Sequence, residues 1–287
     1  MGIIQVNVPT SKPSHFLLQW RAMKLGEALD IHSGQAVALV GAGGKTTAAW
    51  RIQAGLAEAG KRAIITTTTK MMEPVLPDDG ALMLAARPNA ARIARVLEVA
   101  PRLILASRRW GEFAPPDPHH PVPSLPFKLD GLLPDALDDL FAQLPGVTWL
   151  IEADGAKGCG LKLPAAHEPV IPRQVASVIV IAHLDVLGQP LSETTVHRVA
   201  DAVRVLDVRM GSLVTSAMMV RVLTDEALGL KGVPGQSRAV ALLTQRDTTL
   251  HPAALFLAEQ LLSKKRYARV VIAALRAREP VLDVVMQ

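Results

Sequence analysis

The feature that most constrains this chain is a short glycine-rich segment between two regular stretches. Residues 36–40 are small or apolar and predict a buried strand, and residues 45–52 have a composition typical of a helix. Gly41, Gly43 and Gly44 lie between them. Glycine permits a positive φ and lets the backbone approach an anion, toward which the first N–H groups of the helix point. The segment therefore predicts a phosphate-binding loop.

The residues that follow the glycines suit the same function. Lys45 would contact the β and γ phosphates of a nucleotide, and the Thr46 hydroxyl would bind Mg²⁺. The common pattern G-x-x-x-x-G-K-[ST] is not met because position 39 is Leu39, and the chain carries G-x-x-G-K-T over residues 41–46. This shorter form is similar to the loop of Mur-type ligases. A turn that holds no ligand is the alternative. The residues expected to bind nucleotide here are Gly41, Ala42, Gly43, Gly44, Lys45, Thr46 and Thr47.

Apolar runs alternate with helical stretches along the rest of the chain. This alternation predicts an α/β fold with a mostly parallel sheet, flanking helices and the three-layer αβα arrangement of P-loop NTPases. We predict strands at residues 36–40, 62–66, 81–85, 103–106, 147–151, 175–182, 239–243 and 269–273, the last of them before the apolar residues 281–285. Helices are predicted at residues 25–31, 46–59, 90–99, 134–144 and 252–263, and mainly helical structure at residues 196–206 and 212–228.

The chain of 287 residues is long enough for one α/β domain, which we place at residues 23–287. Residues 1–22 are expected to form a leader outside this domain, either disordered or an upstream extension of the reading frame. Residues 113–126 contain six prolines and predict a loop. His119 and His120 lie in that loop, and neighbouring side chains of an extended segment point apart, so we expect both to be solvated.

Composition excludes several classes of protein. Hydrophobic residues make up 49% of the chain, but no run of about 18 apolar residues predicts a membrane span. The single cysteine, Cys159, fits a reducing cytosol. A net charge of +5 suits an anionic ligand, whereas the 3% aromatic content and scattered basic residues do not favour nucleic acid. We therefore expect a cytoplasmic protein with neither a membrane nor a nucleic-acid partner.

Polar residues follow the ends of the predicted strands, where parallel α/β sheets bind ligands. Glu152 and Asp154 follow one strand and resemble a Walker-B motif, in which an acid holds Mg²⁺. Strand alternation would place both carboxylates on one side. We predict Lys45, Glu152 and Asp154 as catalytic residues, and Thr46, Glu152 and Asp154 as metal ligands.

Two further segments add weaker signals. Residues 244–247 (TQRD) occupy the place of the N/T-K-x-D motif of GTPases, in which Asp247 would contact guanine, although Gln245 replaces the lysine. The expected ligands are therefore Mg²⁺ with ATP or GTP. Residues 155–164 form a glycine-rich segment that includes Lys157, Cys159 and Lys162. We expect it to be a mobile loop, with Cys159 exposed, and a clamp on transition-state charge is the alternative for its lysines.

The motifs together resemble the YqeC family, described as accessory proteins of selenium-dependent molybdenum hydroxylases or selenium cofactor biosynthesis proteins. The resemblance extends over about residues 25–285. Its motifs are residues 40–47 (VGAGGKTT), 66–71 (TTTTKM), 151–158 (IEADGAKG), 167–172 (HEPVIP), 187–188 (LG) and 196–198 (VHR). It implies a cytosolic P-loop NTPase that helps a client molybdenum hydroxylase mature. Glu152 and Gly155 also look like the acidic motif of SIMIBI-class GTPases.

We therefore predict a Mg²⁺-dependent nucleotide hydrolase that acts on a metal cofactor of a client enzyme. The first alternative is a small-molecule kinase or Mur-like ligase, in which residues 66–70 and 113–126 would form the acceptor site. The second is a binding module whose loop holds an anion without catalysis.

Overall fold

A nine-stranded sheet forms the centre of the molecule in the computed structural model, which describes residues 23–110 and 127–286. Its strands, in spatial order, are β14 (Val281–Met286), β13 (Arg269–Ala273), β12 (Arg238–Thr244), β10 (Ser177–His183), β1 (Ala36–Gly41), β8 (Thr148–Glu152), β2 (Ala63–Thr67), β5 (Arg102–Ala106) and β4 (Gly80–Leu84). All neighbouring pairs are parallel except β13 and β14. The carboxyl ends of the parallel strands therefore lie at one edge.

Seven α-helices of the described ranges connect or precede these strands. They are α1 (Leu25–Ala28), α2 (Lys45–Glu58), α3 (Ala90–Val99), α4 (Pro134–Gln143), α5 (Val199–Leu206), α6 (Ser216–Thr224) and α7 (Ala254–Ser263). Alternate residues of β1 enter two separate cores. Ala38 and Val40 pack with buried residues of α3 to α7, whereas Val37 and Leu39 pack with those of α1 and α2. The sheet is therefore covered on both faces, which confirms the predicted three-layer α/β fold.

The predicted strands of the large sheet and the long helices are confirmed to within about two residues, and α3 begins and ends where predicted. The interpretation of residues 196–206 as helical was wrong at its start. Residues Val196–His197 form a short strand, β11, which pairs with β9 (Leu161–Lys162), and helix begins only at Val199. In residues 212–228 the helix is limited to α6.

A small antiparallel sheet lies beyond the carboxyl end of β2 and was not predicted. It consists of β3 (Lys70–Met72), β7 (Lys128–Asp130) and β6 (Arg108–Trp110), in that order. Gly131 N donates to Thr69 O at 2.7 Å, and Leu132 N donates to Thr67 O at 2.9 Å, so the chain after β7 is joined to the end of β2. This sheet adds a wall to the edge at which the polar residues collect.

Several predictions lie outside the described residues. They concern the leader at residues 1–22 and the proline-rich loop at residues 113–126 with its two histidines. The single domain at residues 23–287 stays a prediction. None of the helices described by the structure is long and apolar enough to cross a membrane.

Candidate functional site

The turn between β1 and α2 has a conformation that only glycines can adopt. Gly41, Gly43 and Gly44 have φ values of 91°, 90° and 133°. A Cβ atom at Gly41 would lie 2.3 Å from the carbonyl oxygen of Ile181, and one at Gly43 would lie 2.6 Å from the Cβ atom of His183. Both approaches are far inside van der Waals contact. The glycines are therefore required by backbone conformation and by the close approach of β10.

The turn is held in place by residues that are distant in sequence. Ala42 N donates to Ile181 O at 2.9 Å, and Thr244 Oγ1 donates to Gly43 O at 2.6 Å. The first intrahelical bond of α2 runs from Ala48 N to Gly44 O at 2.8 Å. The N–H groups of the first helical turn have no intrahelical acceptor and carry the positive end of the helix dipole. The turn is thus preorganised to bind an anion.

The side chain of Lys45 is buried and folds back onto the turn. Its Nζ atom donates to Gly41 O at 2.6 Å and lies 3.1 Å from Asp154 Oδ1. Asp154 Oδ2 accepts from Gly41 N at 3.0 Å and lies 3.0 Å from Lys162 Nζ. Asp154 is therefore already compensated by two lysines and a backbone N–H group.

Glu152 differs from Asp154 although both line the same cavity. Its side chain is buried, and Oε1 has no hydrogen-bond donor among the described residues. Burial raises the pKa of Glu152, and Lys45 and Thr46 oppose that shift. Its backbone carbonyl oxygen accepts from Thr67 Oγ1 at 2.7 Å and from Thr68 N at 3.2 Å. Asp154 Oδ1 likewise has no hydrogen-bond donor among the described residues, but it is paired with Lys45 Nζ at 3.1 Å. Glu152 Oε1 is therefore the less compensated of the two oxygens.

The ion pairs at Asp154 continue away from the turn. Lys162 Nζ lies 2.9 Å from Glu168 Oε2, which in turn lies 2.7 Å from Arg198 Nη1. Although burial alone would raise the pKa of Glu168, hydrogen bonds from Arg198 and Lys162 lower it to about 2. Lys45, Asp154, Lys162, Glu168 and Arg198 thus form one series of alternating charges, which we call the charge chain.

The charge chain changes the interpretation of residues 155–164. Lys162 was expected in a mobile loop, but its side chain is 2% exposed and lies on β9. Cys159 was expected to be exposed, but it is buried, and its Sγ atom donates to Glu193 O at 3.2 Å. Burial raises the pKa of this thiol, and Lys157 opposes the shift. Of Lys157, Cys159 and Lys162, only Lys157 is exposed, and it lines the cavity that also contains Glu152 and Asp154.

The turn faces a cavity of about 770 Å³, large enough for a nucleotide. Gly43, Gly44, Lys45, Thr46 and Thr47 line it together with Glu152 and Asp154, whereas Gly41 and Ala42 do not. Six cationic side chains contribute to the wall. They are Lys45, Lys70, Lys128, Lys157, Arg246 and Arg276. The excess of cations over the two carboxylates favours a polyphosphate.

The predicted base-contacting residue, Asp247, lies apart from this cavity. It is exposed, and the wall includes Gln245 and Arg246 but not Asp247. Gln245 Nε2 donates to Asp247 O at 2.6 Å and to Thr249 O at 2.7 Å. The glutamine that replaces the GTPase lysine therefore fixes the conformation of its own loop.

His183 also lines the cavity, at the carboxyl end of β10. Burial and the nearby Arg246 lower its pKa, and Asp185 opposes the shift. Its Nδ1 atom accepts from Asp185 N at 3.3 Å. We therefore assign it a neutral imidazole whose Nε2 carries the proton.

The fold and the site define an α/β protein with a glycine-rich turn at the carboxyl edge of a mostly parallel sheet. Residues 37–200 match the family model described as "YqeC protein". The chain therefore belongs to the YqeC family. The turn, Glu152 and the charge chain lie within the matched residues, and Asp247 lies outside them.

One relative is the protein described as "Uncharacterized protein YqeC" of Escherichia coli strain K12. It is 32% identical over 168 residues, which cover 56% of this chain and 57% of the relative. The chain thus aligns with little more than half the length of that relative. No solved structure matches this chain.

Proposed function

We propose that this protein binds a nucleoside triphosphate with Mg²⁺, hydrolyses it, and acts as an accessory factor in the maturation of a selenium-dependent molybdenum hydroxylase. The observation that carries the nucleotide proposal is the arrangement of the glycine turn, Lys45 and Thr46 opposite the unpartnered Oε1 atom of Glu152 in a cation-lined cavity. The maturation role is supported by the resemblance of the motifs to the accessory proteins and by membership of the YqeC family.

Binding changes the partner of Lys45 in this proposal. The backbone N–H groups of the turn hold a phosphate, and Lys45 Nζ moves from Asp154 to the β and γ phosphates. Lys162 and Gly41 N remain at Asp154, so its carboxylate keeps two donors after Lys45 has left. Lys162 therefore reduces the penalty of leaving a buried charge unpaired.

The residues present fit Mg²⁺. The Thr46 hydroxyl and the Glu152 carboxylate are oxygen ligands, and the free Oε1 atom of Glu152 supplies an open lone pair. Within residues 23–110 and 127–286, no three His, Cys, Asp or Glu side chains form a ready-made metal site, and Mg²⁺ commonly uses one or two protein ligands with phosphate and water. Bound there, Mg²⁺ would neutralise charge that develops on the phosphates.

The roles of the two carboxylates separate under this proposal. Asp154 holds Lys45 beside the turn before nucleotide binds, and Glu152 would hold the metal or orient the water that attacks the γ phosphate. In hydrolysis, the bond from the γ phosphorus to the bridging oxygen breaks and a bond to the water oxygen forms. The water proton passes to a carboxylate or to a phosphate oxygen.

The first experiment is calorimetric binding of ATP, GTP and a non-hydrolysable analogue of each, with and without Mg²⁺. We expect Lys45→Ala to weaken Mg²⁺-nucleotide binding at least ~10-fold, because a charge-assisted contact to phosphate contributes about 1.5–3 kcal/mol. Lys61→Ala is the matched control, since Lys61 is exposed beyond the other end of α2. Equal binding by wild type and Lys45→Ala would refute the proposal, as would no binding by the folded wild type.

A second candidate function is transfer of the phosphoryl group to a small acceptor, as in a kinase or Mur-like ligase. A second cavity adjoins the first and shares Lys70 and Gly155 with it, which favours this alternative. Slow release of inorganic phosphate that a client protein stimulates would support the hydrolase. Rapid formation of a phosphorylated or ligated small molecule without any protein partner would support transfer.

A further inference from the structure

The second cavity has a volume of about 570 Å³ and lies between the end of β2 and the small antiparallel sheet. Thr68 and Thr69 form one side of it, and Ser107 and Asp130 form another. Its contact with the nucleotide cavity at Lys70 and Gly155 means that two ligands can lie side by side at one edge of the large sheet. None of these residues belongs to the glycine turn.

The hydroxyl groups of this wall are oriented to accept hydrogen bonds. Thr68 Oγ1 donates its proton to Val170 O at 2.6 Å, and Ser107 Oγ donates to Asp130 O at 3.1 Å. Each hydroxyl has one proton and two lone pairs, so these oxygens present lone pairs to a ligand. They suit a ligand that brings its own O–H or N–H donors.

Asp130 supplies the strongest acceptor. Its Oδ2 atom accepts from Arg108 Nε at 2.6 Å. Its Oδ1 atom is buried without a hydrogen-bond donor among the described residues, although Lys70 Nζ lies 3.9 Å away. A buried carboxylate oxygen that lacks a donor is costly, and a ligand hydroxyl or amine would satisfy it. Glu168, also in the wall, is instead held by Lys162 and Arg198.

The rim of the second cavity carries two cations, Lys70 and Arg108, which line it and are exposed. The exposed side chain of His167 also lies in the wall. Arg108 uses its Nε atom for Asp130, which leaves the two terminal nitrogens to bind a carboxylate or a phosphate. The second cavity thus has hydrogen-bond acceptors in its interior and hydrogen-bond donors at its rim.

We propose that the second cavity binds a small molecule that carries one anionic group and at least one hydroxyl or amino group, beside the nucleotide. The anionic group pairs with Arg108 at the rim, and the hydroxyl or amine donates to Asp130 Oδ1. The role of this ligand as the acceptor rests on the second candidate function, transfer from the nucleotide to a small molecule, but its binding depends only on the residues of the second cavity.

The test is calorimetric titration with two probes, glycerol 3-phosphate and propyl phosphate, which have the same anionic group and differ in two hydroxyls. Each is titrated into the full-length protein with and without a saturating Mg²⁺ complex of a non-hydrolysable ATP analogue. We expect glycerol 3-phosphate to bind at least ~10-fold more tightly than propyl phosphate, because a hydrogen bond to an ionised acceptor is stronger than one to a neutral acceptor. The preference should persist when the nucleotide analogue is present.

Asp130→Asn should abolish this preference, since it removes the charge of the acceptor with little change in shape. Asp79→Asn is the matched control, because Asp79 is also paired with an arginine, Arg102, but at the amino end of β5 outside the cavity. Thr69→Val, a nearly isosteric change of another wall residue, gives a second test if Asp130→Asn does not fold. It should weaken glycerol 3-phosphate binding and leave propyl phosphate unchanged.

The proposal would be overturned by no binding of either probe at millimolar concentration, by equal binding of both, or by displacement of glycerol 3-phosphate by the nucleotide analogue. A preference that is insensitive to Asp130→Asn and Thr69→Val would also overturn it. A protein that prefers glycerol 3-phosphate in an Asp130-dependent way but binds no nucleotide would retain the second site and refute the proposed function. The two ideas therefore fail separately.

Discussion

At the scale of single residues, Glu152 combines burial with an incomplete set of partners. Its carboxyl group is buried at the end of β8, and Oε1 lacks a donor within the described part of the chain. A buried polar atom without a hydrogen bond destabilises a fold by about 1–3 kcal/mol. Such a group is expected where function requires the lone pair, so Glu152 is the residue at which stability and ligand binding should oppose each other.

We predict that Glu152→Gln stabilises the ligand-free protein at neutral pH and abolishes the Mg²⁺-dependent part of nucleotide binding. The raised pKa of Glu152 means that its protonated form is favoured in the fold. The protonated carboxyl group of Glu152 contributes stability that is fully present below the pKa of Glu152 in the unfolded chain. This contribution is lost as the pH rises through the pKa of Glu152 in the folded protein. The free energy of unfolding of Glu152→Gln should exceed that of the wild type by about 1 kcal/mol at neutral pH, or about 2–4 °C in melting temperature. This difference should vanish in acid.

Thermal melts at several pH values, each with and without Mg²⁺-nucleotide, measure both effects. Glu193→Gln, at an exposed position, is the control for the loss of one carboxylate. A Glu152→Gln variant that melts below the wild type at neutral pH would contradict the assignment of a buried Oε1 atom without a donor.

The sequence predicted the residues of the turn and the two carboxylates, because each follows from a local pattern. Glycines before Lys45 require a turn, and the spacing of Glu152 and Asp154 places both on one side of a strand end. The sequence could not predict that Glu152 and Asp154 have different partners. Asp154 is compensated because Lys162 reaches it from β9, and that strand is only two residues long and has no periodicity to detect.

At the scale of elements, the charge chain links the turn to β9 and to the start of α5. Lys162 lies on β9, and Arg198 precedes α5 with a φ of 62°. Arg198 Nη1 also donates to the backbone oxygen of Leu163, the residue after β9, at 3.1 Å. The side chain of Arg198 therefore connects the start of α5 to the end of β9. Neither β9 nor α5 is part of the large sheet, and the ion pairs of the charge chain help to hold both elements in position.

We predict that Glu168→Gln lowers the free energy of unfolding by about 2–3 kcal/mol at neutral pH. This is just below the range of about 3–5 kcal/mol for breaking a buried ion pair, because Arg198 is still 24% exposed. The folded pKa of about 2 lies below the ordinary value of 4.5, so the stability from Glu168 is present above 4.5 and is lost as the pH falls toward 2. The difference between variant and wild type should therefore shrink across that interval.

Urea unfolding at a series of pH values measures this difference, with Glu193→Gln again as the control. The exposed carboxylate of Glu193 should give a difference close to zero throughout. A Glu168→Gln effect that is independent of pH would show that the side chain stabilises the fold through packing and not through its charge.

Elements were predictable where they were long. The apolar runs of the large sheet and the helical stretches gave the order of elements, because each is buried on a regular face. The three-residue strands β3, β6 and β7 escaped prediction, since their pairing depends on contacts between residues 18 to 60 positions apart. As a result the wall of the second cavity was absent from the predicted site, although residues 66–70 were considered for an acceptor.

At the scale of the whole molecule, the first helix is joined to the far side of the sheet by Asp30. This residue follows α1 with a φ of 58°. Its Oδ2 atom accepts from Arg238 Nη1 and lies 3.4 Å from Arg269 Nη2, so it contacts β12 and β13 together. Arg269 Nη1 further donates to Ala28 O at 3.1 Å. One carboxylate thus connects elements from both ends of the described chain.

We predict that Asp30→Asn lowers the free energy of unfolding by about 1–2 kcal/mol. Asparagine tolerates a positive φ, so the change removes charge and leaves the backbone unstrained. The effect is smaller than for a fully buried pair because Asp30 and Arg238 are each about a third exposed, and it should decrease at high salt. Chemical unfolding at low and high salt measures it, with the exposed Asp78→Asn as the control. A loss that is identical at both salt concentrations would contradict the electrostatic explanation.

The position of β1 has a consequence for how the molecule is made. This strand leaves the ribosome first among those of the large sheet, yet its neighbours are β8 and β10, and the hydrogen bond from Thr244 to Gly43 O spans 201 residues. Contacts between such distant positions form only after much of the chain is available. A nascent chain therefore carries the glycine turn long before the turn has its final shape. The turn reaches that shape only when β12 joins the sheet and Thr244 can donate to Gly43 O.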